Sequence, residues 1–377
     1  MNEIWILGAT GRSGRAIAAE LTGARLPIVL VGRDTIRLRK VAVALDRDLR
    51  IVTADSVDAI VGELSRARPA VVVNTIGPFS ETAPPIARAC LPSTHYVDIS
   101  NELFSVVALL ELHDEAASAS RTFVTGAGFG VLATESIVLK LCEGQPPAAS
   151  VRVDAMATVE PEAGHMGTAL AATIVDVLAA GGRRYEHGQL VRSRLLSDLE
   201  SLTLPDGSCV KTAAGPSGEL EAARRASGAS FAVAASSMVP ASPMLRAVLP
   251  TVSSLLRIMA LRKLAVRQVA GIEFKPKQQS EAKAQERRRE FSWAHARVQW
   301  ASGESSEGWL RTGDAHVFAT NVAVEVAKRL ARDQGRSGAY TPGALFGPDL
   351  AIDAGGQFFL DHALTRTRQS STRLERA

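Results

Sequence analysis

Several things this chain lacks narrow its chemistry at once. It has only three cysteines, Cys90, Cys142 and Cys209, and they lie far apart. An odd count argues against a disulfide framework, no pair has zinc spacing, and no other cluster suggests a metal. A reducing compartment, the cytoplasm, is the expectation. No apolar stretch of membrane-spanning length runs free of charge. No basic leader with a cleavage site precedes the first apolar strand, so no targeting segment is expected. An excess of one charge is also missing: 43 basic residues face 39 acidic ones, for a net charge of +4. The dense basic run Arg287-Arg288-Arg289 and the tail from Arg366 to Arg376 read as a solvated strand end and a chain terminus. A nucleic-acid partner is not expected, because a binding stripe needs more clustering.

What is present is ordinary globular composition, 46% apolar and 22% charged over 377 residues. That length suits two domains, each able to bury a core without cross-links. Residues 1–145 alternate strand and helix. Apolar runs at Ile4–Leu7, Ile28–Val31, Ile51–Thr53, Ala70–Asn74, Tyr96–Ile99 and Thr122–Thr125 are separated by stretches with helical spacing. Among these, Leu103–Ala119 reads as one long helix and Thr134–Cys142 as another. Six apolar strands without alternation imply a parallel sheet covered on both faces, hence a doubly wound α/β fold. The pattern breaks at Gly144–Pro147. Residues 146–340 then read as an α+β substrate or dimerisation domain, with half-buried strands at Val151–Ala157 and Glu290–Trp300 and an amphipathic helix at Val317–Leu330. Residues 341–377 are expected to return to the first domain and end in a polar tail.

The strongest motif is Gly8-Ala9-Thr10-Gly11-Arg12-Ser13-Gly14, between the first strand and the first helix. Gly8 permits the turn out of the strand, Gly11 lets backbone approach a diphosphate, and Gly14 permits close helix packing. Thr10, Arg12 and Ser13 complete a loop whose amides face an anion at a helix N-terminus. The first two glycines stand three apart, where the commonest fingerprint has them two apart. The second strand ends in Gly32-Arg33-Asp34. A guanidinium at Arg33 suits the 2′-phosphate of NADP(H), with Asp34 capping the next helix. The rival reading turns Asp34 inward to hold the ribose of NAD. Asp55 either meets the adenine edge or caps the helix after it. Asn74, Thr75, Gly77 and Pro78 lie at the carboxyl end of the fourth strand, beside the nicotinamide half, with Phe79 facing substrate.

Residues 237–272 are rich in Met, Leu and Val, with Arg246, Arg257, Arg262 and Lys263 spaced through them. They read as a lid or channel for an apolar substrate, as a face touching a membrane or carrier protein, or as buried helices or a dimer face.

Taken together, Gly8–Gly14, Asn74-Thr75-Ile76-Gly77-Pro78-Phe79, Tyr96-Val97-Asp98-Ile99-Ser100-Asn101-Glu102 and Gly126-Ala127-Gly128-Phe129-Gly130 resemble the saccharopine dehydrogenase-like reductases, and most of all the branch of trans-acting enoyl reductases. The resemblance covers about the first 135 residues and continues in patches, at Gly167-Thr168 and Thr341-Pro342-Gly343. Asn101 stands where the family has glycine, and Gly130 where it has an acid. The resemblance implies an NADP-binding fold and reductase chemistry.

Hydride transfer needs an acceptor that is oriented and polarised. The carboxyl ends of the strands offer Asp98, Ser100, Asn101 and Glu102, and Phe129 for substrate contact. Asp98 and Glu102 are either a carboxylate pair or a helix cap and first-turn acid. Tyr96 starts its strand and is expected to point away. His165, just before Gly167 and Thr168, is a candidate proton donor, and Gly167 and Thr168 are candidate substrate contacts. No Tyr-x-x-x-Lys pair occurs in the first domain, which argues against a plain ketoreductase. The expected activity is NADPH-dependent reduction of an enoyl-type C=C or a C=N bond in a small or carrier-bound apolar substrate. A saccharopine-type amino-acid oxidoreductase, with Arg183, Arg184, Arg192 and Arg194 holding carboxylates, and a dinucleotide-binding protein without turnover are the alternatives. A homodimer is a further expectation from the class.

Overall fold

The computed structural model describes residues 3–159, 164–165, 175, 178–237, 259–270, 273–274, 289–360 and 365–366. The first sheet is built from β1 (Ile4–Leu7), β2 (Ile28–Gly32), β3 (Arg50–Thr53), β4 (Val71–Asn74), β5 (His95–Asp98) and β6 (Thr122–Val124). Between them run α1 (Arg12–Gly23), α2 (Thr35–Ala44), α3 (Val57–Ala67), α4 (Phe79–Cys90), α5 (Leu103–Leu110) and α6 (His113–Ser118), and α7 (Phe129–Leu141) follows β6. The single helix expected over 103–119 is broken at Glu111-Leu112 into α5 and α6.

The second sheet starts with β7 (Ser150–Met156). After the short β8 (Gly164–His165) come β9 (Gly182–Glu186), β10 (Gln189–Ser193), β11 (Glu200–Thr203), β12 (Cys209–Ala214), α8 (Gly218–Ser227) and β13 (Phe231–Ser236). Then follow α9 (Met259–Ala270), β14 (Glu273–Phe274), β15 (Ser292–Gln299), β16 (Glu304–Thr312) and α10 (Ala315–Leu330). The chain closes through β17 (Gly338–Tyr340), α11 (Pro342–Phe346), α12 (Leu350–Asp353), β18 (Gln357–Leu360) and β19 (Thr365–Arg366).

The first sheet has the order β17-β6-β5-β4-β1-β2-β3. Each pairing is parallel, as in β1 against β2 and β4 and in β17 against β6. This is the doubly wound arrangement expected, with a seventh strand added beside β6. That strand is residues 338–340. After 341, α11 and α12 pack on α7 at the end of the first domain, and β18 pairs antiparallel with β16 of the second sheet. The second sheet is mixed, with the path β10-β9-β13-β7-β15-β16-β18.

One apolar core joins the two sheets. Leu132, Ile137 and Val138 of α7 are fully buried in it, with Val153, Ala294 and Leu310 of the second sheet and Val322 and Val326 of α10. Helix α7 therefore serves both layers, and it leaves its first residues at the carboxyl ends of β5 and β6.

Candidate dinucleotide and substrate site

The glycine loop has the shape its sequence implies. Gly8 has φ of +78°, a conformation that suits glycine, and a Cβ there would lie 2.7 Å from Thr75 Oγ1. A Cβ on Gly14 would collide with the Gly8 carbonyl. Gly11 is the N-cap of α1, and no side chain caps that end. The helix thus presents a terminus suited to a diphosphate. Arg15 donates to the Thr10 carbonyl at 2.9 Å and braces the loop from inside the helix. The residues present fit a dinucleotide: small where backbone must come close, and uncapped where charge would sit.

At the end of β2, Arg33 is exposed. Asp34 is committed elsewhere. Its carboxylate accepts from the Arg37 amide at 3.0 Å, capping α2, and pairs with the Arg37 guanidinium at 3.5 Å. Ser56 is the cap of α3, accepting from the Ala59 amide at 3.2 Å. Asp55 does not fill that role and stays exposed.

The fourth loop is tied down from below. Thr75 Oγ1 donates to the Leu7 carbonyl at 2.7 Å, joining this loop to the glycine loop. The Gly77-Pro78 bond is cis. Asn74 is fully buried: its Nδ2 donates to the Tyr96 hydroxyl at 3.0 Å, and its Oδ1 accepts from the Ile76 amide at 3.0 Å. The Asn74 side chain shapes the loop and has no face left for a cofactor. Tyr96 does not turn away as expected. It is fully buried edge-on to Phe123, with its hydroxyl under the loop.

The fifth and sixth loops close on Asp98. Its Oδ1 accepts from the Ser100 amide, the Thr125 hydroxyl and the Gly126 amide at 3.0, 3.0 and 3.1 Å. Burial outweighs these bonds and pushes its pKa up to about 6. Asp98 is fully buried, so it holds loops and does not touch a substrate above them. Glu102 is no partner for it. The Glu102 carboxylate accepts from the Phe79 and Ser80 amides at 3.0 and 2.9 Å, capping α4 across the sheet. Phe79 is held there by its backbone, with its ring partly buried against the core.

The second domain enters through α8. Asn101 Nδ2 donates to Glu219 Oε1 at 3.1 Å, and the Asn101 carbonyl accepts from the Gly218 amide at 3.0 Å. Gly130 must be small, because a Cβ there would strike Glu219. The two positions that depart from the family pattern therefore meet at one carboxylate. Phe129 lies in the core, edge-on to Phe318 with centroids 6.0 Å apart, and not on a cleft surface. His165 is placed by its backbone, in β8 opposite Glu273. Gly167 and Thr168 lie outside the described residues, as does most of 237–272.

One residue near the site gave no sequence signal. His316 Nε2 of α10 lies 3.4 Å from Ser13 Oγ in the glycine loop. The two are 303 positions apart, and only the packing of α10 along α1 brings them together.

A doubly wound dinucleotide-type sheet joined through α7 to a mixed sheet defines the architecture. It is that of saccharopine dehydrogenase. The apo L-Glu-forming enzyme of Saccharomyces cerevisiae aligns over 96% of this chain and 100% of its own, with a TM-score of 0.59 at 11% identity. In sequence, the trans-acting enoyl reductase of Mycobacterium tuberculosis is 32% identical over 146 residues, 37% of this chain and 35% of that protein. The enzyme of the same name from Mycobacterium leprae is 30% identical over 146 residues, and that from Mycobacterium ulcerans 34% over 136. The match thus spans about a third of the length of these relatives. No family model matches the chain. Fold and sequence similarity together bear out the resemblance to saccharopine dehydrogenase-like reductases. Among the described residues no helix is long and apolar enough to cross a membrane, and no metal-binding cluster occurs.

Proposed function

We propose that this protein is an NADPH-dependent reductase acting on a polarised C=C or C=N bond of a biosynthetic intermediate. The observation that carries the reading is the uncapped end of α1 behind Gly8 and Gly14, with Arg33 exposed nearby while Asp34 is spent on α2. NADPH supplies the hydride when bound. The chain's share is placement. The glycine loop holds the diphosphate, and Arg33 reads the 2′-phosphate as a planar fork. Thr75, Gly77 and Pro78 form the stiff floor beside the nicotinamide. Asp98 and Glu102 fix the loops around it from beneath.

The enoyl variant is favoured by the relatives' names and by the apolar composition of 237–272, which suits a non-polar or carrier-bound acceptor. The saccharopine-type alternative gains less. Arg184, one of the arginines it needs, pairs with Glu186 and with Asp198 on the edge of the second sheet.

Titration of the purified chain with NADPH and NADH, followed by nicotinamide fluorescence, tests the reading. We expect tighter binding of NADPH, and Arg33→Ala to weaken NADPH about tenfold or more while sparing NADH. Equal losses for both nucleotides would remove the assignment of Arg33. Binding of neither would remove the reductase reading.

A further inference from the structure

We propose that α9 is a docking element for an anionic lipid surface, with Leu261 and Leu264 entering the headgroup layer and the cations of the surrounding chain meeting lipid phosphates. The inference goes beyond the reductase reading and does not need it to hold.

Two independent observations carry it. The first is a charge pattern. From Ala222 to Ile272 the chain has no aspartate or glutamate, although it has 39 acidic residues in all. Arg224 and Arg225, near the start of that stretch, are paired with Glu221 of their own helix. The five cations that follow are Arg246, Arg257, Arg262, Lys263 and Arg267, and the first acid after them is Glu273 in β14. A stretch of one sign is drawn to a surface of the other. The second observation is exposure. Leu261 is 39% exposed and Leu264 54%. Three positions apart on one helix, they lie on the same side, and Gln268 continues that side one turn further, also exposed. Arg267 is exposed beside them. A helix buried in a core would hide its leucines first.

Helix α2 also exposes two apolar residues, Ile36 and Val43, but Asp34, Asp46 and Asp48 flank it. An anionic bilayer would repel those carboxylates. Scattered apolar side chains need no partner. Leucines within an acid-free, basic stretch have instead the composition of a helix that lies in a membrane interface. The 12 residues of α9 extend for about 18 Å, too short to span the hydrocarbon, so the helix would lie along the surface. There the long stems of arginine and lysine reach lipid phosphates while leucine enters the acyl boundary.

Flotation of the full chain with vesicles tests the inference, using phosphatidylcholine alone and phosphatidylcholine with about one third phosphatidylglycerol. We expect binding to the anionic vesicles, about tenfold or more weaker binding to the neutral ones, and loss of binding as salt is raised. Leu264→Asp, and Arg262→Glu combined with Arg267→Glu, should each weaken anionic binding about tenfold or more, with circular dichroism as the check on folding. Arg262→Gln combined with Arg267→Gln, which only removes charge, carries the test if the charge reversal folds poorly. Absence of binding, equal binding to both vesicle types, or binding that both kinds of variant leave intact overturns the inference. So does self-association in sedimentation velocity that Leu264→Asp abolishes while vesicles are not bound, since a second copy then covers the face. Capture of a purified acidic acyl carrier protein through the same residues, again without vesicle binding, overturns it in favour of a protein partner.

Discussion

The two sheets treat charge in opposite ways. Strands β1, β2, β4 and β5 are buried at every position, because helices cover both faces of the first sheet. Polar side chains there are confined to strand ends, where Asn74 and Asp98 organise loops. The second sheet is covered unevenly. Val151, Val153 and Ala155 of β7 face the shared core, while Arg152 and Asp154 alternate onto the other side. In the middle of that side sits a polar network. Asp154 pairs with Arg152 at 2.9 Å and with His295 Nδ1 at 3.0 Å, and Thr212 Oγ1 donates to it at 2.6 Å. His295 also faces Glu307 and lies against the Trp309 ring. A two-sided sheet leaves room for chemistry only at its ends, whereas a sheet with one apolar face can bury ion pairs across its centre.

The largest effect should come from breaking that network. Asp154→Ala removes the buried carboxylate shared by Arg152 and His295 and leaves them only the outer carboxylates of Glu200 and Glu307 at 3.3 and 3.5 Å, a loss of about 3–5 kcal/mol. Urea unfolding measures it, and nucleotide affinity of the folded fraction should not change. A variant as stable as wild type would mean that the network holds nothing together. Its pH dependence is also fixed in sign. Burial would raise the Asp154 pKa, but bonds from His295, Arg152 and Thr212 outweigh it and hold the group at about 2. Burial would lower the pKa of His295, and the bonds to Asp154 and Glu307 outweigh that and raise it. The aspartate's contribution is lost as pH falls from 3.8 through about 2. The histidine's is complete below 6.5 and lost as pH rises through its elevated folded value. The network is therefore at full strength between pH 3.8 and 6.5.

The buried carboxyl of the first sheet should behave in the reverse sense. Asp98→Ala strands two amides and a hydroxyl, for about 3 kcal/mol. Asp98→Asn keeps an acceptor at the Oδ1 position and should cost less. Since burial raises the Asp98 pKa to about 6, the folded state holds this proton more tightly than the unfolded chain does. Its contribution to stability falls as pH climbs from 3.8 through about 6, and Asp98→Asn should flatten that slope. Stability curves of the two aspartate variants against pH, taken side by side, would show the contrast. Parallel curves would erase it.

The same difference decides what could be read in the sequence. The first six strands were legible because unbroken apolar runs such as Val71–Val73 have one structural outcome in an α/β chain. The glycine loop was legible because its spacing is local. Alternation gave β7 and β15, and helical period gave α10. Helix α8 escaped notice because its buried face carries Glu219 and Glu221, which read as solvent-facing. Strand β17 escaped because Gly338-Ala339-Tyr340 carries no apolar run of the kind that marks the other strands. At the site, Gly8, Gly11, Gly14 and Thr75 lie together as expected. The pairings that give the other residues their place are long-range: Glu102 onto α4, Asn101 onto Glu219, His316 onto Ser13. Local periodicity has no means of choosing such partners. Phe129 was misplaced for a related reason, since a ring at a strand's end faces a cleft only if nothing like Phe318 arrives to cover it.

The seam between the two sheets should give the smallest effect. Glu219 is buried there, with Oε1 accepting from Asn101 and no partner within hydrogen-bonding distance for Oε2 among the described residues. Burial raises its pKa, with bonds from Ser217, its own amide and Asn101 opposing. The proton is thus held more tightly in the folded chain, and ionising the group at higher pH costs stability. Glu219→Gln keeps the acceptor for Asn101 and removes that ionisation. We expect a change within about 1 kcal/mol at pH 5, moving toward stabilisation at pH 8. Urea unfolding of the two proteins at both values measures the change. If the glutamine variant instead loses ground as pH rises, Glu219 is held as a carboxylate, and the seam belongs with the ion-pairing second sheet rather than with the proton-holding loops of the first.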